Sequence, residues 1–112
     1  VSQGKVVFGE VTAEWCLTCK ANKVLVMDRD PVRSALGVEN VTAMRADWTR
    51  PDEKISRYLS SFNRYGIPFN AVYGPGAPAG IILPELLSTS QVMEALATAH
   101  EMANSNIQQA KR

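Results

Sequence analysis

The sequence predicts an α/β protein in which helices cover a central mixed sheet, forming a three-layer sandwich. Apolar segments with strand character alternate with segments whose apolar residues recur at helical spacing. A turn rich in glycine and proline then joins the last two strand segments, as in a β-hairpin. The resulting order is β-α-β-α-β-β-α. With 112 residues, the chain is long enough for one such domain, spanning residues 1–112, and too short for two.

The first half of the chain alternates strand and helix. Residues 6–13 are almost continuously apolar, which is typical of a strand buried on both faces. The helix predicted at residues 17–27 carries its apolar residues on one stripe: Leu17, Ala21, Val24 and Leu25. Asp30 and Pro31 are typical of an N-cap followed by the first helical position, and Gly37 closes this short helix. Residues 41–48 form the second predicted strand.

The second half begins with helix signals at residues 49–52. Five apolar residues then fall at helical spacing, with the aromatic ones expected in the core: Ile55, Tyr58, Leu59, Phe62 and Tyr65. Gly66 is predicted to end this helix. Ile67-Pro68 imposes an extended break before a strand at residues 69–73. The predicted turn at residues 74–80 leads to a last strand at residues 81–83.

The final predicted helix opens with Ser88 and Gln91, a capping-box pair. Its buried side is expected to carry four apolar residues: Val92, Leu96, Ala99 and Ala103. The polar residues 104–112 are expected to fray.

Composition excludes several classes of function. The formal net charge is +1, with acids and bases mixed along the chain, so neither a nucleic-acid groove nor a polybasic membrane patch is indicated. No apolar run approaches the roughly 20 residues needed to cross a bilayer. The chain opens on Val1 and polar residues without a signal peptide, and we interpret it as a mature or excised fragment.

Cys16 and Cys19 are the two cysteines, and they lie where the first predicted strand ends and the first helix begins. A helix N-terminus presents unpaired N–H groups and a partial positive charge, which favour a thiolate over a thiol. We therefore expect Cys16, at the cap, to be an exposed nucleophile and Cys19, one turn in, to be its buried resolving partner. Dithiol–disulfide exchange by two successive displacements is the chemistry that this pair predicts.

Three other interpretations of the cysteine pair stay open. Structural zinc needs four ligands, and His100 is the one histidine available to add. A purely structural disulfide would close too small a loop to add much stability. A soft copper ion held by both thiolates is the third, although the nearest methionines, Met27 and Met44, are expected in the core.

Two segments resemble thioredoxins. Residues 13–20, Ala-Glu-Trp-Cys-Leu-Thr-Cys-Lys, resemble the W-C-x-x-C-K active-site segment, and residues 65–68, Tyr-Gly-Ile-Pro, resemble the G-[IV]-P segment. More narrowly, residues 11–16, the Leu-Thr pair between the cysteines and residues 46–49 resemble the C-terminal domain of DsbD-type thiol:disulfide interchange proteins. The related membrane proteins of the suppressor-of-copper-sensitivity system share this resemblance.

This resemblance implies a thioredoxin fold over essentially the whole chain and a protein-disulfide reductase activity that needs no cofactor. It implies a periplasmic domain of an inner-membrane protein, monomeric when isolated. Its electrons would come from a transmembrane domain of the same polypeptide and pass to periplasmic thiol–disulfide proteins or domains. A module that binds or delivers copper through the same thiolates, and an inert interaction domain, are the rival hypotheses.

The resemblance also assigns roles to four further residues. Glu10 stands where the family places a buried aspartate, and burial of a carboxylate favours its neutral form, which suits Glu10 to exchange a proton with Cys19. Pro68 would be cis beside the disulfide, with Ile67 offering backbone hydrogen bonds to an extended partner. Trp15 would flank the nucleophile as an apolar contact for partners. The alternatives are an outward-facing strand end, an ordinary trans proline and a merely packed tryptophan.

Other polar and aromatic residues are expected to play structural parts. We interpret Lys20 and Lys23 as solvated helix charges, although a cation at Lys23 that pointed toward the sulfurs would ease thiolate formation. Trp48 is expected in the core and His100 on the surface. Leu17-Thr18 replaces the Gly-Pro pair that thioredoxin carries between its cysteines, so the redox potential does not carry over from the resemblance.

Overall fold

The computed structural model describes residues 5–100, and a four-stranded mixed sheet lies at its centre. The strands are β1 (Val6–Thr12), β2 (Val41–Asp47), β3 (Phe69–Gly74) and β4 (Ala77–Ile82). Their order across the sheet is β2-β1-β3-β4, with β1 parallel to β2 and antiparallel to β3, and β3 antiparallel to β4. The predicted mixed sheet is confirmed. Ala103 and the tail expected to fray lie outside the described residues.

Four helices cover the sheet: α1 (Leu17–Asn22), α2 (Val32–Leu36), α3 (Glu53–Ser60) and α4 (Thr89–His100). A π-helical turn, Lys23–Met27, continues α1, so together they match the predicted helix at residues 17–27. Within residues 5–100, no helix combines the length and the apolar character that crossing a bilayer requires.

The core has two main clusters, one on each face of the sheet. The larger packs the sheet against the α1 extension, α2 and α4, and its buried members are Val6, Phe8, Val26, Met27, Val32, Val41, Val72, Leu83, Leu87, Val92, Ala95, Leu96 and Ala99. The smaller packs the sheet against α3, and its buried members are Val11, Leu59, Phe69 and Ala71. β1 contributes to both clusters, as its nearly continuous apolar sequence predicts.

The predicted cap at Ser88 is present, whereas α2 starts one residue later than predicted: Pro31, not Asp30, is its N-cap, and Val32 is its first residue. The carboxylate of Asp30 accepts hydrogen bonds from the backbone N–H (3.1 Å) and hydroxyl (2.5 Å) of Ser34. At the start of α4, the backbone N–H of Gln91 donates to the Ser88 hydroxyl at 3.3 Å, and that hydroxyl donates to the Gln91 side chain at 2.8 Å. These bonds satisfy N–H groups that a helix start leaves without an internal partner.

α3 ends at Ser60, not at Gly66 as predicted. Asn63 adopts φ = 59°, in the left-handed region that asparagine tolerates. The backbone N–H of Arg64 then bonds to the Leu59 carbonyl at 3.0 Å, closing the helix.

Because α3 ends early, not all of the aromatic residues predicted to be buried along it lie in the core. Phe62 is partly buried against the smaller cluster. Tyr58 is 37% exposed. Tyr65 is 79% exposed, because it lies beyond the end of the helix. The prediction of a core position for Tyr65 is therefore wrong.

The β3–β4 hairpin is tighter than predicted. Gly74 pairs with Ala77, which leaves Pro75 and Gly76 as the turn, so β4 begins well before the apolar residues 81–83. Gly80 has φ = +97°, and a Cβ there would approach the Tyr73 ring to 2.7 Å. Glycine at this position lets the strand run through a segment whose composition suggests a loop.

The side of α1 that faces the core is not the predicted one. Leu17, Val24 and Leu25 are 79%, 57% and 54% exposed, whereas the opposite side of the helix is buried at Cys19 and Asn22. The α1 extension likewise buries Val26 and Met27 rather than the predicted stripe. Met27 is therefore a core residue as expected, but Met44 is exposed on the edge strand β2.

Asn22 explains part of this orientation. Its side-chain N–H donates to the Glu85 carbonyl at 2.8 Å, and its oxygen accepts from the backbone N–H of Leu87 at 3.0 Å. Asn22 is 2% exposed. The buried amide therefore fixes the segment before α4 against α1, which commits this side of the helix to the interior.

We expect Asn22→Ala to lower the free energy of unfolding by about 1–3 kcal/mol, because it strands buried backbone groups of the segment before α4. Urea denaturation measures the change. Asn40→Ala is the matched control, since Asn40 is exposed and its side chain bonds only the surface residue His100 among the described residues. Equal losses in both variants would contradict the structural role of Asn22.

Candidate redox site

Cys16 and Cys19 form a disulfide, with their Cα atoms 5.3 Å apart. Cys16 is the N-cap of α1, with extended backbone (φ −90°, ψ 99°), and its sulfur accepts the backbone N–H of Cys19 at 3.2 Å. β1 leads to Cys16, and the first turn of α1 places Cys19 next to it. The predicted juxtaposition is confirmed, and the N–H that meets the Cys16 sulfur favours negative charge there.

The expected contrast in exposure between the two cysteines is wrong. Cys16 is 5% exposed and Cys19 is 4% exposed. Both pack with Ala13, and Ile67 covers this small cluster. Little of either cysteine is therefore accessible to a partner in the disulfide form, although Trp15 and Leu17, which flank Cys16 in sequence, are exposed.

The segment opposite the disulfide carries Ile67 and Pro68. The peptide bond between them is cis, as the resemblance implies. Pro68 is buried, and Ile67 is partly buried against the disulfide cluster. Their part in binding a partner stays a prediction.

A loop after β2 fixes the residues that precede Cys16, and the sequence analysis missed it. The Thr49 hydroxyl accepts the backbone N–H of Glu14 at 2.9 Å, and the Thr49 carbonyl accepts the indole N–H of Trp15 at 3.1 Å. Thr49 is itself held by Asp47, whose carboxylate accepts from the Thr49 backbone N–H at 2.8 Å and from its hydroxyl. The sequence signal for this loop is the Asp-x-Thr spacing, because an aspartate side chain often accepts a hydrogen bond from the backbone N–H two residues later.

Trp48, between these two loop residues, is partly buried and packs against the smaller core cluster, as expected. Trp15, in contrast, is largely exposed. The loop thus anchors one tryptophan in the core and holds the other beside the disulfide.

Glu10 lies in the middle of the sheet, opposite Arg45 of β2 and Asn70 of β3. Its side chain is 11% exposed, so it is not an outward-facing strand end. The Arg45 Nε donates to the Glu10 carboxylate at 3.0 Å. This counter-charge, which the sequence analysis did not anticipate, offsets the cost of burying the carboxylate.

A cavity of about 300 Å³ is lined by both Glu10 and Cys19. Lys20 and Lys23 also contribute to its wall. The ammonium of Lys23 pairs with Asp28 at 2.8 Å, and both side chains are about half exposed, so this cation is a solvated helix charge as expected. The cavity provides room for water between a buried carboxylate and a buried sulfur.

In residues 5–100, no three His, Cys, Asp or Glu side chains come together as a metal site would require. His100 is exposed and its ring bonds Asn40 at 3.3 Å. A metal at the cysteine pair would therefore draw its described protein ligands from Cys16 and Cys19 alone. No observation here favours the metal-binding hypothesis.

The mixed sheet and the redox-type Cys-x-x-Cys disulfide at a helix start define a thiol–disulfide oxidoreductase. The chain belongs to the thioredoxin-like family, whose sequence model matches residues 2–75. No curated protein matches the sequence.

Solved structures share the fold. The C-terminal domain of DsbD from Neisseria meningitidis, in its reduced form, superposes with a TM-score of 0.65 at 19% identity, covering 85% of this chain and 81% of that domain. Its oxidised form gives the same TM-score and identity, with coverage of 85% and 80%. A thioredoxin from Thermus thermophilus gives 0.62 at 16% identity, covering 84% and 72%.

The loop of Asp47 and Thr49 predicts an acid-dependent release of Trp15. The hydrogen bonds from the Thr49 hydroxyl and backbone hold the pKa of Asp47 below its usual value of 3.8. A lowered folded-state pKa stabilises the loop above the unfolded-state pKa, and this contribution is lost as the pH falls through the folded-state pKa. We expect the NMR resonance of the Trp15 indole N–H to shift in that range.

Asp47→Asn should abolish this titration, and Asp28→Asn is the matched control that should preserve it. A Trp15 resonance that titrates equally in wild type and Asp47→Asn would contradict the proposed link.

Proposed function

We propose that this protein is a protein-disulfide reductase domain that relays electrons by dithiol–disulfide exchange. The observation that carries the proposal is the Cys16–Cys19 disulfide at the start of α1, where the Cys19 backbone N–H meets the Cys16 sulfur at 3.2 Å. The same N–H stabilises a Cys16 thiolate once the disulfide is reduced.

The reaction proceeds in two displacements. In the reduced domain, the Cys16 thiolate attacks one sulfur of a partner disulfide, forms a mixed disulfide and expels the other partner sulfur as a thiolate. Cys19 then loses its proton and attacks the Cys16 sulfur, which releases the second partner thiolate. The domain gives up two electrons and the one proton of Cys19, and the two partner thiolates take up protons from solvent to give the dithiol. A donor dithiol reverses these steps on the domain and restores its reduced form.

Glu10 is the proton acceptor for Cys19 in this scheme. Cys19 is 4% exposed, so its proton does not leave directly into bulk solvent. The cavity that both residues line offers room for water between them, and the ion pair with Arg45, which also lines the cavity, positions the carboxylate. General-base assistance of this kind speeds the second displacement, because only a thiolate attacks.

The direction and the partners of the relay follow from the DsbD-type resemblance of residues 11–16 and 46–49. We propose that the domain lies in the periplasm as part of an inner-membrane protein. Its electrons come from a transmembrane domain of the same polypeptide, and periplasmic thiol–disulfide proteins or domains accept them. The partner's extended segment lies along Ile67 and Pro68, with Trp15 as an apolar contact. The C-terminal domain of DsbD shares the fold of this chain, and the partners and the compartment rest on the resemblance of the residues themselves.

We expect Cys19→Ala to accumulate a mixed disulfide through Cys16 when the reduced variant meets insulin, because the resolving sulfur is missing. Non-reducing electrophoresis and mass spectrometry detect the adduct. The reciprocal Cys16→Ala variant is the control and should trap none through Cys19. If neither variant traps an adduct while the wild type binds copper(I) tightly, the relay fails and the metal-binding alternative takes its place.

We expect Glu10→Gln to slow release of the mixed disulfide by roughly 10²-fold near neutral pH, because the glutamine amide cannot accept the Cys19 proton. Stopped-flow mixing with acid quench and alkylation measures this step. Glu39→Gln, at an exposed position away from the disulfide, should leave the rate unchanged. A release rate that is the same for wild type and Glu10→Gln across neutral pH would remove the proton role.

A further inference from the structure

The apolar stripe formed by Leu17, Ala21, Val24 and Leu25 lies on the outer side of the helix that carries the disulfide. Three of its members are more than half exposed, and Ala21 is partly exposed. An amphipathic helix normally turns such a stripe toward the core. Here the core side is occupied by Cys19, Asn22, Val26 and Met27, so the stripe has no partner among the described residues.

The stripe begins at the reactive sulfur. Leu17 directly follows Cys16, and at 1.5 Å per residue the stripe extends roughly 12 Å along the helix. Because Cys16 is 5% exposed, a protein sulfur that reaches it must bring its surface against the flanking residues. Leu17 is one of these, and the rest of the stripe continues the same surface away from the disulfide.

Resting on the proposed function, we propose that this stripe is the docking surface for protein disulfides that have apolar side chains beside their cysteines. No stripe side chain is charged, and of the two lysines nearby, Lys23 is already paired with Asp28 while Lys20 is exposed beside the stripe, so the stripe itself suits an apolar segment. A surface of this length buries well below roughly 1,200 Å² in a complex, which is the range of weak and transient complexes. A redox partner that must leave after each exchange requires such a contact.

Two synthetic peptides test the proposal. Each contains one intramolecular disulfide flanked by four residues on either side, because about four extended residues span 12 Å. These flanks are leucines in one peptide and serines in the other, and both peptides end in the same two glutamates. The second-order rate constant for oxidation of the pre-reduced domain is measured by acid quench and alkylation. Each rate is divided by that of the same variant with bis(2-hydroxyethyl) disulfide, which is too small to reach beyond Leu17.

We expect the wild type to prefer the leucine peptide by at least about tenfold, the effect of burying one or two aliphatic side chains. The double variant Val24→Ser/Leu25→Ser should lose most of this preference. Val38→Ser/Met44→Ser is the matched control, since Val38 and Met44 are 46% and 59% exposed away from the stripe, and it should keep the preference. Circular dichroism and thermal unfolding establish that each variant is folded.

Several results would overturn the proposal. A wild type without preference, or a stripe variant that keeps it, would show that protein disulfides do not dock there. Self-association in sedimentation velocity, or binding to phosphatidylglycerol vesicles, that the stripe variant alone loses would assign the surface to a second copy or to lipid. The failure of the proposed function has a different signature, because the wild type would then react with neither peptide nor bis(2-hydroxyethyl) disulfide.

Discussion

The bond between Cys16 and Cys19 depends on how the chain passes from β1 into α1. Cys16 keeps an extended backbone as the N-cap, and the helix starts at the next residue, so the first turn brings Cys19 back to it. A helix start one residue earlier or later would move one sulfur around the helix axis by about 100°. The N–H that meets the Cys16 sulfur, the buried position of Cys19 and the apolar stripe beside Cys16 all follow from this junction.

The sheet supplies the second constraint. β1 lies between β2 and β3, so a carboxylate at Glu10 has a neighbour on each side. Arg45 on β2 neutralises its charge, while Asn70 on β3 is 2% exposed and its side-chain oxygen has no hydrogen-bond partner among the described residues. The sheet therefore places a paired charge and a buried amide next to each other on neighbouring strands.

The loop after β2 links these two constraints. β2 runs parallel to β1, so both strands end at the same edge of the sheet, where Asp47 and Thr49 meet Glu14 and Trp15. The side chain next to the nucleophile is thus positioned by a segment more than thirty residues away in sequence. Any change in the pairing of β1 with β2 would shift this anchor.

Local patterns in the sequence by themselves determined the order of the elements, the cap at Ser88, and the spacing that lets Cys16 and Cys19 bond, because these depend on neighbours within one helical turn. The tertiary structure decided what depends on distant neighbours. Helical periodicity groups Leu17 with Val24 but cannot say which side of α1 faces the core, and the bonds from Asn22 to the segment before α4 settle that. The same periodicity predicts that α3 extends to Tyr65, but the left-handed backbone at Asn63 ends the helix earlier. The pairing of Glu10 with Arg45 and of Trp15 with Thr49 likewise required strand register, which the order of residues along one strand does not contain.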